Sequence, residues 1–170
     1  MNIFVSDPNP LVAAQALDDV RLRKMNVETA QLLCTALRIR HGMDDVPYKN
    51  SHVHHPLVHW LLRSNGNIRW LYLHGLGLYQ ENLFRSDKQH KSGMVAVSLS
   101  GHVASLADEE QTPFINCARN KSLGIDFTDV NDVPLAYKQY LINRWHNDKR
   151  PPKWTRRGAP EWASDWRENG

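Results

Sequence analysis

Arg21, Lys24, Glu28 and Gln31 recur at spacings of three, four and three. On a helix that spacing stacks them on one side, in a stripe roughly 80° wide at about 100° per residue. Val20 and Val27 border the stripe on one flank, Met25 and Leu32 on the other. A narrow polar stripe with apolar margins suits a helix that lines a cleft. A carboxylate held in such a cleft, here Glu28, can serve as general acid or base. Lys24 and Arg21 are then the cations beside it and Gln31 a further contact. The plainer alternative is a solvated face carrying a Lys24–Glu28 pair, with little consequence for stability.

Three other groups could carry chemistry. His52, His54, His55 and His59 are dense in imidazole, and His55 and His59 have the i, i+4 spacing that zinc sites use. No His-Glu-x-x-His pattern or nearby acidic or thiolate partner accompanies them, so no metal and no other cofactor is expected, and hydrogen bonding is the role assigned to them. Glu81, Arg85, Lys88, His90 and Lys91 crowd five polar contacts into one helix end and its exit. This suits a phosphate grip; an ordinary solvated helix end is the alternative. In Arg150-Pro151-Pro152-Lys153-Trp154-Thr155-Arg156-Arg157, basic residues interleave with an aromatic. Lys153 would meet a phosphate and Trp154 would stack on a base, unless the tryptophans pack onto the domain instead.

The elements that position these groups read as helices. Asn9 can cap a short helix with Pro10 at its first position. Asp18 or Asp19 caps the main helix, which ends near His41-Gly42. Pro56 opens another helix through Leu62, and Asn65-Gly66-Asn67 reads as an interruption. Helix resumes from Ile68 to Phe84, with Trp70, Leu71, Leu73, Leu76 and Leu78 as core candidates. Met94 to Leu106 reads as a small-residue helix, Ala107 to Val133 as a long loop, and Pro134 opens a last helix through about Trp145. Met1 to Val5 is a strand or an extended segment. The expectation is an all-α single domain over residues 1–170, with an extended, basic, Trp-rich tail from about 146 to 170.

Composition agrees with a globular protein: 41% of residues are apolar and 23% charged. No apolar run is long enough for a membrane span and no signal peptide is visible, so no membrane association is expected. Two cysteines, Cys34 and Cys117, suggest reduced thiols in a cytoplasmic setting. The net charge of +3 permits a polyanionic partner. From Lys138 onward there are eight Lys or Arg against four Asp or Glu, and four of the six tryptophans, among them Trp162 and Trp166.

Several motifs resemble a family of small phage-encoded proteins. They are Met1-Asn2-Ile3-Phe4-Val5; Asp19-x-x-x-x-Lys24-Met25-x-x-Glu28-x-x-Gln31-x-Leu33; His55-Pro56 with Asn67 and Trp70; Lys88-x-His90; Thr112-Pro113-Phe114; and Trp145 with Pro151-Pro152-Lys153-Trp154. The resemblance covers nearly the whole chain. More remotely, the layout is similar to the phage pyrimidine-dimer DNA glycosylase with AP-lyase activity, an all-α enzyme with an Asp-containing early helix that bears a catalytic Glu. That resemblance places Glu28 on the catalytic Glu, Asp19 on the Asp of the early helix, and Arg21 on a DNA contact. One departure matters. The glycosylase attacks the sugar with the amine of an N-terminal Thr, whereas residue 2 here is Asn2, whose size leaves Met1 in place.

Together these readings predict a DNA-acting enzyme of glycosylase type that flips out and excises or processes a pyrimidine base. Glu28, Lys24 and Asp19 are its expected catalytic residues. Asn2, Arg21, Gln31, His55, Asn67, Trp70, Glu81, Arg85, Lys88, His90, Lys153 and Trp154 are its expected substrate contacts. The partner is duplex DNA or a nucleotide, in the host-cell cytoplasm if the phage resemblance holds. Two alternatives remain: an enzyme of nucleotide metabolism or thymine hypermodification, and a non-catalytic module that binds DNA or a host protein.

Overall fold

Asp18 and Gly42 bound the longest helix, α2 (Asp19–His41). The Asp18 carboxylate accepts the amides of Val20 and Arg21, which would otherwise lack partners. Gly42 sits at φ 65°, a left-handed position that costs glycine nothing. Asn9 caps α1 (Pro10–Ala16) in the same way, with Pro10 at its first position. The computed structural model describes residues 1–164. After α1 and α2 come α3 (Pro56–Leu61), α4 (Asn65–Ser86), α5 (Lys91–Ser98), α6 (Ser100–Ala104) and α7 (Val133–His146). The protein is all-α apart from a small antiparallel hairpin, β1 (Arg119–Asn120) and β2 (Ile125–Asp126).

The core forms where α2 and α4 lie side by side, with α1 against α4 and α5 against both. The buried face of α2 carries Leu22, Met25, Leu32, Leu33 and Leu37. Gly75 permits the close approach of α4, because a Cβ there would stand 3.1 Å from Thr29 Cγ2 and 3.3 Å from the Ala96 Cβ. Its low helix propensity is thus offset by packing. Of the core candidates on α4, Trp70, Leu71 and Leu78 are buried, but Leu73 is 45% exposed.

The expected interruption at Asn65-Gly66-Asn67 is the first turn of α4. The Ser64 hydroxyl caps it through the Gly66 amide. The turn-like composition answers a different need: the chain at 109–111 runs directly over Gly66. A Cβ at Gly66 would stand 2.4 Å from the Gln111 nitrogen and 2.5 Å from the Glu110 carbonyl carbon. Gly66→Ala should therefore lower stability by about 1–3 kcal/mol despite alanine's better helix propensity. A chemical-denaturation midpoint equal to or above the parent's would contradict this.

The expected helix over 94–106 is two helices, α5 and α6, joined at Leu99. Residues 107–133 are largely irregular, as expected, and are tied down by the start of α4. The Asn67 carboxamide donates to Thr112 Oγ1 and accepts from the Thr112 amide, at 2.8 and 2.9 Å. The Trp60 indole donates to the Pro113 carbonyl at 2.9 Å. From this anchor the chain runs past the N-terminal segment, where Asn2 Nδ2 donates to the Cys117 carbonyl, and on into the hairpin. Residues 1–5 make no strand, and the chain turns at Phe4.

The tail is strapped to the domain. The Trp154 indole N–H donates to the Ala16 carbonyl at 2.9 Å, and the Asp19 amide donates to the Lys153 carbonyl at 2.8 Å. Trp145 packs between Trp154, edge-on at 5.2 Å, and Trp162, stacked at 5.7 Å. Trp166 and the end of the tail lie outside the described residues. Asp19 receives the Thr155 hydroxyl at 2.6 Å and the Arg85 guanidinium at 3.0 Å. Burial pushes its carboxyl up, but the Thr155 and Arg85 contacts outweigh that and hold it below the ordinary carboxylate value. A lowered folded-state value contributes stability above the unfolded value, near pH 3.9, and that contribution is lost as pH falls through the folded value. Asp19→Asn should thus be less stable than the parent at pH 7, with the gap narrowing below about pH 4. A gap that stays constant to pH 2.5 in urea unfolding would refute the assignment.

Candidate active-site cleft

Glu28 sits on the wall of a cleft of about 600 Å³ formed by α2, α7, the N-terminal segment and the hairpin. Arg21, Lys24 and Glu28 of the stripe all line it, with Val20 and Met25 at their margins. Glu28 is 9% exposed. Its Oε2 accepts the Asn2 amide at 2.7 Å, and its Oε1 lies 3.3 Å from the Lys24 ammonium. The Asn2 side chain in turn accepts the amides of Ile3 and Phe4, which folds the N-terminus against α2. Asn2 thereby positions the carboxylate through its backbone, and Met1 lines the same cleft.

Aromatic rings supply the apolar wall. Phe4 stands at φ 47°, an uncommon region for a bulky residue, held there by the Asn2 side chain and by the Ser6 amide on its carbonyl. Its ring packs on Tyr140 at 5.7 Å and edge-on to Tyr137 at 6.2 Å. Phe4 and Tyr140 both line the cleft.

The rim is cationic. Arg119 enters from the hairpin, Arg144 from α7, and Lys149 and Arg150 from the segment after it. Lys149 and Arg150 are exposed and make no ion pair among the described residues. Arg21 is less available: it donates to Asp18 at 3.0 Å and Asp148 at 2.7 Å. Burial works against its charge, but the two carboxylates outweigh burial and strengthen its hold on the proton. Asp18 also accepts the Trp145 indole N–H at 2.9 Å, so one buried carboxylate ties the start of α2 to the end of α7 and fixes the width of the cleft. Six basic side chains face two carboxylates, Glu28 and Asp148, in this cleft. Sequence reasoning missed Phe4 as a cleft aromatic, and missed Arg119, Tyr140, Arg144 and Lys149. A usable signal was present on α7, where Tyr140 and Arg144 share one helical face at i, i+4, with Asp148 just past the helix end.

The remaining expected residues are elsewhere. Asp19, expected beside Glu28, points to the opposite flank of α2, because a shift of nine residues along a helix turns the side chain well away from the stripe. Gln31 lies in a separate shallow groove with Lys49 and Ser51. Trp70 is 4% exposed and donates to the Pro8 carbonyl, and Asn67 is fully buried, so both are packing and hydrogen-bonding groups of the core. His55 caps α3 by accepting the Leu57 amide at its Nδ1. Burial, and then the positive N-terminus, hold its pKa below the usual histidine value. Glu81 and Arg85 form a buried pair joined by Arg157. Lys88 and His90 open on a second cleft, which the first does not share. The half-buried Trp154 ring meets Trp145 edge-on and its indole N–H is bound to the Ala16 carbonyl, away from the Glu28 cleft; Lys153 is exposed beside it. Residues 81–91 therefore do not converge with Glu28.

Among the described residues, no group of three His, Cys, Asp or Glu side chains is placed to hold a metal ion. None of the described helices is long and apolar enough to cross a membrane. In comparisons with known proteins, no family model, no curated protein and no solved structure matches the chain.

Proposed function

We propose that the protein is a DNA-acting enzyme of glycosylase type that works on a pyrimidine nucleotide in the Glu28 cleft. The observation that carries this reading is the placement of one carboxylate, anchored by the Asn2 amide at 2.7 Å, between an aromatic wall and a cationic rim. The rim binds phosphates flanking the reacting nucleotide. Phe4 and Tyr140, packed on one another, give an apolar border to the space an extruded base would enter. Glu28 takes a proton from water as the water oxygen bonds to the sugar C1′. The bond from C1′ to the base nitrogen breaks, and the base leaves with that electron pair and gains a proton. The products are free base and an abasic site. Lys24 and the rim arginines hold the strand while positive charge develops at C1′, and Glu28 offsets that charge.

Water, not an amine, is the nucleophile in this reading, because Glu28 Oε2 accepts the Asn2 backbone amide and its Oε1 holds the Lys24 ammonium as an ion pair. Intact mass should show Met1 retained, and borohydride should trap no covalent protein–DNA adduct. A trapped adduct would transfer the nucleophile's role to the α-amine. The proposal itself is tested on UV-irradiated duplex DNA and on duplexes carrying 5-substituted pyrimidines. Alkali-labile sites and released base are expected. A parent protein that neither binds duplex DNA at low salt nor releases base from any of these substrates would overturn it.

A further inference from the structure

The second cleft, of about 320 Å³, lies on the opposite flank of α2. Arg23 of α2 lines it, with Lys88 and His90 from the link between α4 and α5. Asp19 and Arg85 also face it, but they satisfy one another at 3.0 Å. The charge left over is therefore cationic. Arg23 is exposed and donates only to its own helix, at the Asp19 carbonyl, and Lys88 is exposed without an ion pair among the described residues. Helix α5 begins here, at Lys91. No side chain caps it, and the helix dipole favours an anion near that end, beside His90. The His90 ring is held below the usual histidine value by burial first and the Arg23 charge second; an anion between them would reverse the second effect.

The two clefts are separated only by the exposed edge of α2. Val20 and Lys24 border the first cleft and Arg23 the second. A helix with its side chains is about 10–12 Å across, and each strand of duplex DNA carries a phosphate about every 3.4 Å along the duplex axis, so a strand lying across the ridge has phosphates on both sides of it. A free nucleotide would fill the first cleft and leave the second without purpose. A strand would use both.

We propose that the second cleft holds a backbone phosphate of the same DNA strand whose nucleotide occupies the Glu28 cleft, so the substrate is polymeric DNA and not a free nucleotide. This inference rests on the nucleic-acid reading of the first cleft. The test uses the full chain and fluorescently labelled mixed-sequence DNA, single- and double-stranded, with binding followed over a range of salt. Two double variants are compared: Arg23→Glu with Lys88→Glu in the second cleft, and Lys149→Glu with Arg150→Glu in the first. All four residues are exposed, and matching circular dichroism confirms folding. Gln in place of Glu provides a milder version that should act in the same direction. Loss of the phosphate held in the second cleft should weaken binding at least tenfold and reduce the slope of log K against log salt by about 0.7–0.9. Weakening by both variants is the expected result. If only the Lys149/Arg150 variant loses affinity, the first cleft keeps its reading and the second is not on the strand's path. A parent that binds no DNA at low salt would remove the reading of the first cleft, and this inference with it.

Discussion

Glu28→Gln should lower turnover by about 10²–10⁴-fold, the usual loss on removing a positioned acid or base. The substitution keeps the shape of the side chain, and its amide oxygen can still accept the Asn2 N–H that now ends on Oε2 at 2.7 Å. The fold and the placement of the N-terminal segment should survive. DNA affinity should change little, since Arg119, Arg144, Lys149 and Arg150 still surround the cleft. The Lys24 ammonium, 66% exposed at its side chain, loses a partner it holds weakly in water. The decisive measurement is kcat and Kd for the variant beside the parent on any DNA the parent processes. A fall in kcat at constant Kd fits proton transfer by Glu28. Equal turnover would remove Glu28 from the mechanism and return the pair to the structural role that its sequence spacing equally allows.

Glu81→Ala should cost about 3–5 kcal/mol of stability, the largest expected effect away from the cleft. Glu81 and Arg85 are both 3% exposed and 2.7 Å apart. Arg157 donates to both Glu81 oxygens, and Arg85 also donates to the Leu17 and Gln15 carbonyls. Removing the carboxylate leaves the Arg85 charge buried with Asp19 as its remaining carboxylate partner and breaks the Arg157 pair, while Arg156 still donates to the Phe84 carbonyl. A destabilisation below about 1 kcal/mol in urea unfolding would show that Asp19 alone suffices for Arg85. Glu81→Gln, which keeps a hydrogen-bond acceptor for both arginines, should fall between parent and alanine variant.

These two carboxylates show how far the order of residues reaches. Both stand one helical turn from a cation, Lys24 before Glu28 and Arg85 after Glu81, and local spacing assigns them the same short list of roles. The helices themselves were legible, because their causes are local. Asp18 and Asn9 cap, Gly42 tolerates a left-handed φ, and apolar residues recur with the period of a helix face, whereas the Ser64 cap was hidden by the turn-like Asn65-Gly66-Asn67 that follows it. The stripe on α2 was legible for the same reason, down to its apolar margins.

What faces a helix from across the molecule leaves no such periodic trace. Nothing near Glu28 in the chain says that the Asn2 amide, 26 residues away, ends on its carboxylate, or that α7 stands opposite with Arg144. Nothing near Glu81 says that Arg157 closes over it, 76 residues on. The same holds for the tail. Its composition fits a nucleic-acid contact and a packed strap equally well, and the choice falls to the strap for Trp154 because Ala16 leaves a carbonyl free at the end of α1. The split between Glu28 and residues 85–90 has the same origin. They lie on opposite flanks of α2 because α4 packs against one side of that helix and α7 closes over the other. That packing is set by which apolar faces bury each other, a property of pairs of distant segments and not of any one of them.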